Sequence, residues 1–273
     1  MVANGLPTLL LLLISVQTAA NRTYRAATVE FAPERSPNAS ISSAETLALR
    51  LRNVDRFEAF IAAAKANHSQ IIVFPEYGIT GDGTALEDAD FSRELATQFA
   101  EEIPNPNASL PLCAPSQQQC KECAVSTALA CLAKKYEIVL VANMLDVVPC
   151  NVGTPGCDDG RHQYNTAVVF NEQGALIAKY YKRHLYGQES KSLDAGPARN
   201  DTVFHASFGV SFGVLICFDL VFEFSPPSSV GHFVFPTDWV NFAPHLRGER
   251  SVDAQRIWSF LHQKSLLASN YGG

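Results

Sequence analysis

A chain of 273 residues, 47% hydrophobic and 18% charged, can bury a large core, and one α/β domain commonly reaches this size. The formal net charge is -6, and no Lys/Arg cluster compensates locally. Nothing therefore offers a phosphate backbone a basic footprint, and nucleic acid is not an expected partner.

From the N-terminus, Leu9 to Ile14 form an apolar run, and small residues follow through Ala20. This reads as an export leader over residues 1–20, too short to span a bilayer, with residues 21–273 as one mature domain. No Lys or Arg precedes the run, so a buried N-terminal strand or helix is the competing reading. Asn-X-Ser/Thr sequons at Asn21, Asn38, Asn67, Asn107 and Asn200 support export, because each could carry a glycan in the secretory pathway.

Tyr24 to Phe31 alternates like a strand. Leu47, Leu49, Leu51, Val54, Phe57, Phe60 and Ile61 then recur at near-helical spacing after Ser42 or Ser43, which can cap a helix reaching Ala64. Gln70 to Phe74 is a short β-branched run stopped by Pro75, and Arg93 to Ile103 and Val125 to Tyr136 read as helices. Ile138 to Ala142 is a further buried strand. Thr166–Phe170 and Leu176–Tyr180 flank Asn-Glu-Gln-Gly and predict an antiparallel hairpin. Phe208 to Phe218 reads as a strand pair or one bent strand broken at Gly209 and Gly213. Phe233 to Pro236 is a short strand, and Arg250 to Ser269 a final helix with Ile257, Trp258, Leu261 and Leu266 on its apolar side. Helices alternating with short hydrophobic strands predict a layered α/β domain with a mixed sheet.

Of seven cysteines, Cys113, Cys120, Cys123, Cys131, Cys150 and Cys157 crowd one segment and are disulfide candidates in an oxidising compartment. Their pairing is open, although Cys150 and Cys157 lie across a Gly/Pro-rich turn. A single C-x-x-C without a second pair argues against zinc. Cys217 stands apart.

Gly213-Val-Leu-Ile-Cys217 places that thiol where an apolar strand runs into polar sequence. Glu76 follows Ile71-Ile-Val-Phe-Pro75, and Lys182 follows Lys179-Tyr-Tyr, each at a strand end. Taken singly, these residues read as a core thiol, a turn glutamate and a surface lysine. Together they form a chemical set: a thiol attacking an amide carbonyl needs a base for its proton and a cation for the charge that develops. His184, His232 and His245 read as structural histidines.

The trio Phe74-Pro-Glu76-x-Gly78, Tyr181-Lys182-x-His184-Leu185 and Cys217-Phe-Asp219 resembles the nitrilase superfamily of carbon–nitrogen hydrolases. Phe222, Phe235-Pro-Thr-x-Trp239, Asn241, Pro244-His-Leu246, Leu267-Ala-Ser-Asn270 and the stretch from Cys150 through Gln163-Tyr-Asn-Thr166 resemble its vanin/biotinidase branch. The resemblance runs from about Tyr24 to Asn270. It implies a four-layer α-β-β-α sandwich, with Glu76 as general base, Lys182 as oxyanion stabiliser and Cys217 as acylated nucleophile. It further implies that the Phe218 N–H is a second oxyanion donor, that Glu189 positions the lysine or substrate, and that Asp238 and Trp239 line the acyl pocket. The branch has a small residue where this chain has Asp238. The implied substrate is a linear secondary amide, pantetheine or a biotin amide such as biocytin, with no metal or organic cofactor.

The family pattern continues beyond Gly273 with further strands and, in this branch, another domain. The expected sandwich is thus C-terminally incomplete. Without a hydrophobic tail for a glycolipid anchor, soluble secretion is expected. A catalytically silent binding protein is the alternative reading, and a papain-like Cys–His enzyme a more distant one, since no Cys-Gly-x-Cys-Trp signature surrounds Cys217. Monomer and dimer are both open.

Overall fold

The computed structural model describes residues 23–36, 41–81, 92–106, 112–113, 122–197, 202–223, 225–239 and 251–271. Helix α1 (Ser43–Ala66) starts at a reciprocal cap: the Glu45 backbone N–H donates to Ser42 Oγ at 3.3 Å, and the Ser42 N–H donates back to Glu45 Oε2 at 2.9 Å. Along the chain there follow α2 (Arg93–Phe99), α3 (Ala124–Tyr136), α4 (Glu189–Ser192), α5 (Asp219–Phe222) and α6 (Ser251–His262).

Among the described residues one sheet has six strands: β1 (Ala26–Thr28), β2 (Ile71–Val73), β3 (Ala100–Glu101), β4 (Val139–Pro149), β5 (Arg161–Phe170) and β6 (Leu176–Tyr181). Its order is β1-β2-β4-β5-β6, with β3 also paired to β4; β1, β2 and β4 run parallel and the β4-β5-β6 stretch is antiparallel. The second sheet, ordered β10-β9-β8-β7, contains β7 (Val203–His205), β8 (Ser211–Val214), β9 (His232–Thr237) and β10 (Ser265–Asn270).

Strand alternation assigns the layers. Ile72, Leu140, Ala142, Val168 and Phe170 meet Val54, Phe57 and Ile61 of α1 and Val125 and Leu129 of α3. Their neighbours Ile71, Val73, Val139, Val141 and Val169 turn the other way and pack on Phe212, Val214, Ile216 and Val234 of the second sheet. The outer face of that sheet carries Phe233 and Phe235 against Trp258 of α6 and Leu220 of α5. The layers are therefore α-β-β-α, the sandwich that the sequence resemblance implied.

Three sequence expectations need correction. The final helix does not reach Ser269: it ends at His262, Gln263 takes a left-handed φ of 53°, and Ser265–Asn270 form β10, parallel to β9. Leu266, Leu267 and Ala268 continue the apolar count of a helix but pair as a strand. Accordingly α6 buries Trp258 while Ile257 and Leu261, expected on the same apolar side, are exposed. Second, the predicted Arg93–Ile103 helix stops at Phe99 and turns into β3, because β4 is long enough to pair with it there.

Third, Phe208 lies in the turn between β7 and β8, not in a strand, and Gly213 does not break β8. Gly209, at φ 80°, makes that turn. A Cβ on Gly213 would lie 2.2 Å from Cε1 of Phe233, so its bare backbone admits a ring of the neighbouring strand.

Candidate active site

Glu76, Lys182 and Glu189 converge between the two sheets. After β2 the ladder continues for one bond, from the Phe74 N–H to Val141 O at 2.9 Å, before Pro75, which has no N–H, ends it. Glu76 then enters the interior, and Tyr77 reverses the chain at a left-handed φ of 54°. Lys182 follows β6 and is held by its backbone N–H on Asn165 O at 2.9 Å. Glu76 and Lys182 are each 1% exposed and form an ion pair, Nζ to Oε1, at 2.7 Å; the same ammonium reaches Glu189 Oε2 at 2.8 Å. Two of its three N–H bonds are thereby directed at carboxylates.

Both carboxylates have further donors. Glu76 Oε1 accepts from Asn165 Nδ2 at 2.8 Å and Oε2 from the Asp238 N–H at 2.8 Å. Glu189 accepts from Asn165 Nδ2 at 3.0 Å, from the Tyr186 N–H at 2.6 Å and from the Tyr77 hydroxyl. Buried charge is tolerable only with such partners.

Cys217 approaches from the second sheet. Beyond β8 the strand path continues through the Leu215 N–H to Val234 O at 3.2 Å and the Cys217 N–H to Pro236 O at 3.1 Å. Cys217 itself has φ 42°, a left-handed conformation unusual for a side-chain-bearing residue, and α5 starts two residues on. Its free, buried thiol lies 3.7 Å from Asp238 O. Asp238 therefore touches Glu76 through its N–H and Cys217 through its carbonyl. Phe218, the half-buried N-cap of α5, makes no backbone N–H hydrogen bond among the described residues. The Trp239 backbone is paired with Asn270 of β10, at 3.0 Å from its N–H and 3.3 Å to its carbonyl.

The electrostatics follow from burial. Burial would lower the Lys182 pKa, but Glu76 and Glu189 outweigh it and hold the ammonium well above the usual lysine range. Burial raises Glu76 against the opposing pull of Lys182. Burial also pushes the Cys217 thiol well above its ordinary range, the Glu76 charge adds to this, and Lys182 opposes it. The resting group is thus a neutral thiol that needs a base to become a nucleophile.

Several partners were given no role from sequence, although Asn165 and Asp219 fall within the motifs that carry the resemblance. Asn143, Asn165, Tyr77 and Asp219 all belong to the buried polar network. Asp219 Oδ1 accepts from the Arg183 N–H at 3.1 Å and the His184 N–H at 2.9 Å, while Oδ2 accepts from Tyr180 Oη at 2.9 Å and the Ile216 N–H at 3.1 Å. It ties the turn after Lys182 to the turn carrying Cys217. Asn143 carried a readable signal, a lone amide in the apolar run Val141 to Leu145.

His184 bonds Asp219 and stacks on Phe222, and His232 bonds Tyr24, as structural histidines do. His245 and Asn241 lie outside the described residues. Cys113 pairs with Cys131 and Cys150 with Cys157; Cys123 is also disulfide-bonded, and Cys120 lies outside the described residues. Asn67 is exposed at the C-terminal end of α1, whereas Asn21, Asn38, Asn107 and Asn200 lie outside the described residues, as does the expected leader. Among the described residues no helix is long and apolar enough to cross a membrane, and no group of three or more His, Cys, Asp or Glu side chains suited to a metal occurs.

A family model, Carbon-nitrogen hydrolase, matches residues 38–225, and the chain belongs to that family. It is 36% identical over 244 residues to human pantetheinase, covering 86% of this chain and 45% of that protein. It is 36% identical over 258 residues to bovine biotinidase, covering 90% and 46%. The chain spans about half the length of the curated relatives it matches. Among solved structures, a Saccharomyces cerevisiae member of branch 10 of the nitrilase superfamily superposes with a TM-score of 0.63 at 22% identity, covering 90% of this chain and 74% of that one. An amidase from Nesterenkonia sp. superposes at 0.59 and 18% identity, covering 92% and 78%. These two share the fold.

Proposed function

We propose that this chain is a thiol amidohydrolase that cleaves a linear secondary amide through an acyl-cysteine. The observation that carries the reading is the buried Lys182 ammonium held between Glu76 and Glu189, with Glu76 and the Cys217 thiol meeting opposite sides of the Asp238 backbone.

In this reading Glu76 takes the thiol proton as Cys217 Sγ bonds to the amide carbon. The oxygen becomes an oxyanion, facing the remaining Lys182 N–H and the Phe218 backbone N–H. Glu76 returns the proton to the amide nitrogen, the C–N bond breaks and the amine leaves, giving a thioester. Water then gives a proton to Glu76 and its oxygen to the acyl carbon. The sulfur departs and recovers that proton, releasing a carboxylic acid. Glu189 orients Lys182, and Asp238 and Trp239 border the acyl group.

The 36% identity to pantetheinase and to biotinidase supports pantetheine or a biotin amide such as biocytin as substrate. We further read residues 1–20 as a leader and the chain as secreted, which the Cys113–Cys131 and Cys150–Cys157 disulfides support. The test is release of cysteamine from pantetheine and of lysine from biocytin by the purified chain, beside Cys217→Ala prepared identically. Hydrolysis that vanishes in the variant supports the reading and identifies the acyl group. Absence of hydrolysis by a folded chain would overturn it in favour of a silent binding protein.

A further inference from the structure

The polar residues around Lys182 form a directed hydrogen-bonded circuit that the reaction steps do not use. The Tyr77 backbone N–H donates to Asn143 Oδ1 at 2.8 Å, Asn143 Nδ2 donates to Asn165 Oδ1 at 2.6 Å, and Asn165 Nδ2 forks onto Glu76 and Glu189 at 2.8 and 3.0 Å. The Tyr77 hydroxyl closes the circuit on Glu189. Both asparagines are fully buried, Asn143 on β4 and Asn165 on the adjacent β5.

The direction of this circuit is fixed at both ends. A backbone N–H can only donate, so the Asn143 oxygen must face Tyr77 and its amide nitrogen must face Asn165. Asn165 then presents its oxygen to Asn143 and both N–H bonds to the carboxylates. A flipped Asn165 would set its oxygen against two carboxylates and leave Asn143 donating to an N–H group. The pair therefore behaves as a preset donor aimed at Glu76 and Glu189.

We propose that Asn165, oriented by Asn143, is a positioning residue that fixes Glu76 and Glu189 as paired acceptors on either side of Lys182. The inference rests on the thiol amidohydrolase reading above. Lys182 alone would let either carboxylate swing toward it and take both ammonium bonds. With one Asn165 N–H on each carboxylate, the two stay apart, one ammonium hydrogen remains for the oxyanion, and the donor opposes the rise that burial gives Glu76.

The test uses Asn165→Leu, which keeps the approximate shape and removes both N–H donors, and Asn143→Leu, which removes the donor to Asn165 without adding a charge. Two profiles are measured from about pH 4.5 to 9: kcat/KM on the amide, and the rate of Cys217 alkylation by iodoacetamide, which needs no amide turnover. Loss of a charge-assisted donor corresponds to about tenfold in kcat and moves the acid limb of both profiles upward by about one pH unit, with KM little changed. Asn143→Leu moves them in the same direction by less.

A purely structural role predicts a lower melting temperature with both limbs in place, and that result overturns the proposal. If Asn165→Leu does not fold, the Asn143→Leu limbs decide alone: moved, the proposal stands; unmoved, it falls. If the wild type hydrolyses no amide, the amidohydrolase reading fails by itself, while the alkylation profiles still decide whether Asn165 governs Glu76.

Discussion

The two halves of the site are held in different ways. On the six-stranded sheet, Glu76, Lys182 and Asn165 are locked by charge and directed hydrogen bonds among fully buried groups. On the smaller sheet, Cys217 is held by strand-like backbone bonds and a left-handed turn, and its thiol lies 3.7 Å from Asp238 O and beside the Thr237 side chain. Among the polar contacts that join the halves are Asp238 on Glu76, Asp219 on the turn after Lys182, and the Arg183–Glu223 ion pair at 2.8 Å. An ionic half thus faces a half seated by apolar packing between the sheets and by a small set of polar contacts.

The largest effect is expected from breaking the ionic half. Lys182→Met leaves two buried carboxylates facing each other, a loss of about 3–5 kcal/mol near neutral pH. Burial already raises Glu76 against the opposing pull of Lys182, so without the ammonium only hydrogen bonds such as that from the Asp238 N–H oppose the rise. A carboxylate raised in the folded state binds more protons there than when unfolded. The stability of the variant should therefore fall as pH rises from about 4.3 through the raised folded value. Urea midpoints that are higher at pH 5 than at pH 8 would bear this out; a midpoint that rises with pH would refute it. Its amide hydrolysis should be lost throughout.

Next comes the joint. Asp219→Ala removes the acceptor for the Arg183, His184 and Ile216 N–H groups and the Tyr180 hydroxyl, leaving buried donors unsatisfied at a cost of about 2–4 kcal/mol. Because these donors flank Lys182 and Cys217, kcat should fall further than the loss of folded protein explains. Circular dichroism at the assay temperature, compared with kcat, separates the two effects. Equal losses in both would make Asp219 a folding residue only.

How far the sequence discloses this architecture depends on whether a residue acts through its neighbours in the chain or through space. α1 was readable because its cap and its apolar spacing are local, and the trio at strand ends because each follows a run stopped by proline or polar residues. β10 was not, because Leu266 and Leu267 continue a helical count, and what makes them a strand is pairing with β9 some thirty residues earlier. The role of Asn165 was missed for a related reason. Its side chain meets Glu76, which is 89 positions away, so its place in the Gln163-Tyr-Asn-Thr166 stretch marks the residue but not its role.

The outer helix of the smaller sheet sharpens the comparison. α1 buries Val54, Phe57 and Ile61, whereas α6 fixes itself largely through Trp258, which packs edge-on to Phe233 at 5.3 Å and donates from Nε1 to Glu223 O at 3.0 Å. Trp258→Ala should cost about 3 kcal/mol through the cavity and the unpaired carbonyl. On the opposite side of α6, Phe260 is 74% exposed. Phe260→Ser should change the urea midpoint by less than about 0.5 kcal/mol equivalent and leave kcat unaltered. If Phe260→Ser instead destabilises the chain as much as Trp258→Ala does, and by an amount that depends on protein concentration, the exposed face of α6 is covered in solution. The nucleophile half would then be held from outside as well as through Asp219 and Asp238.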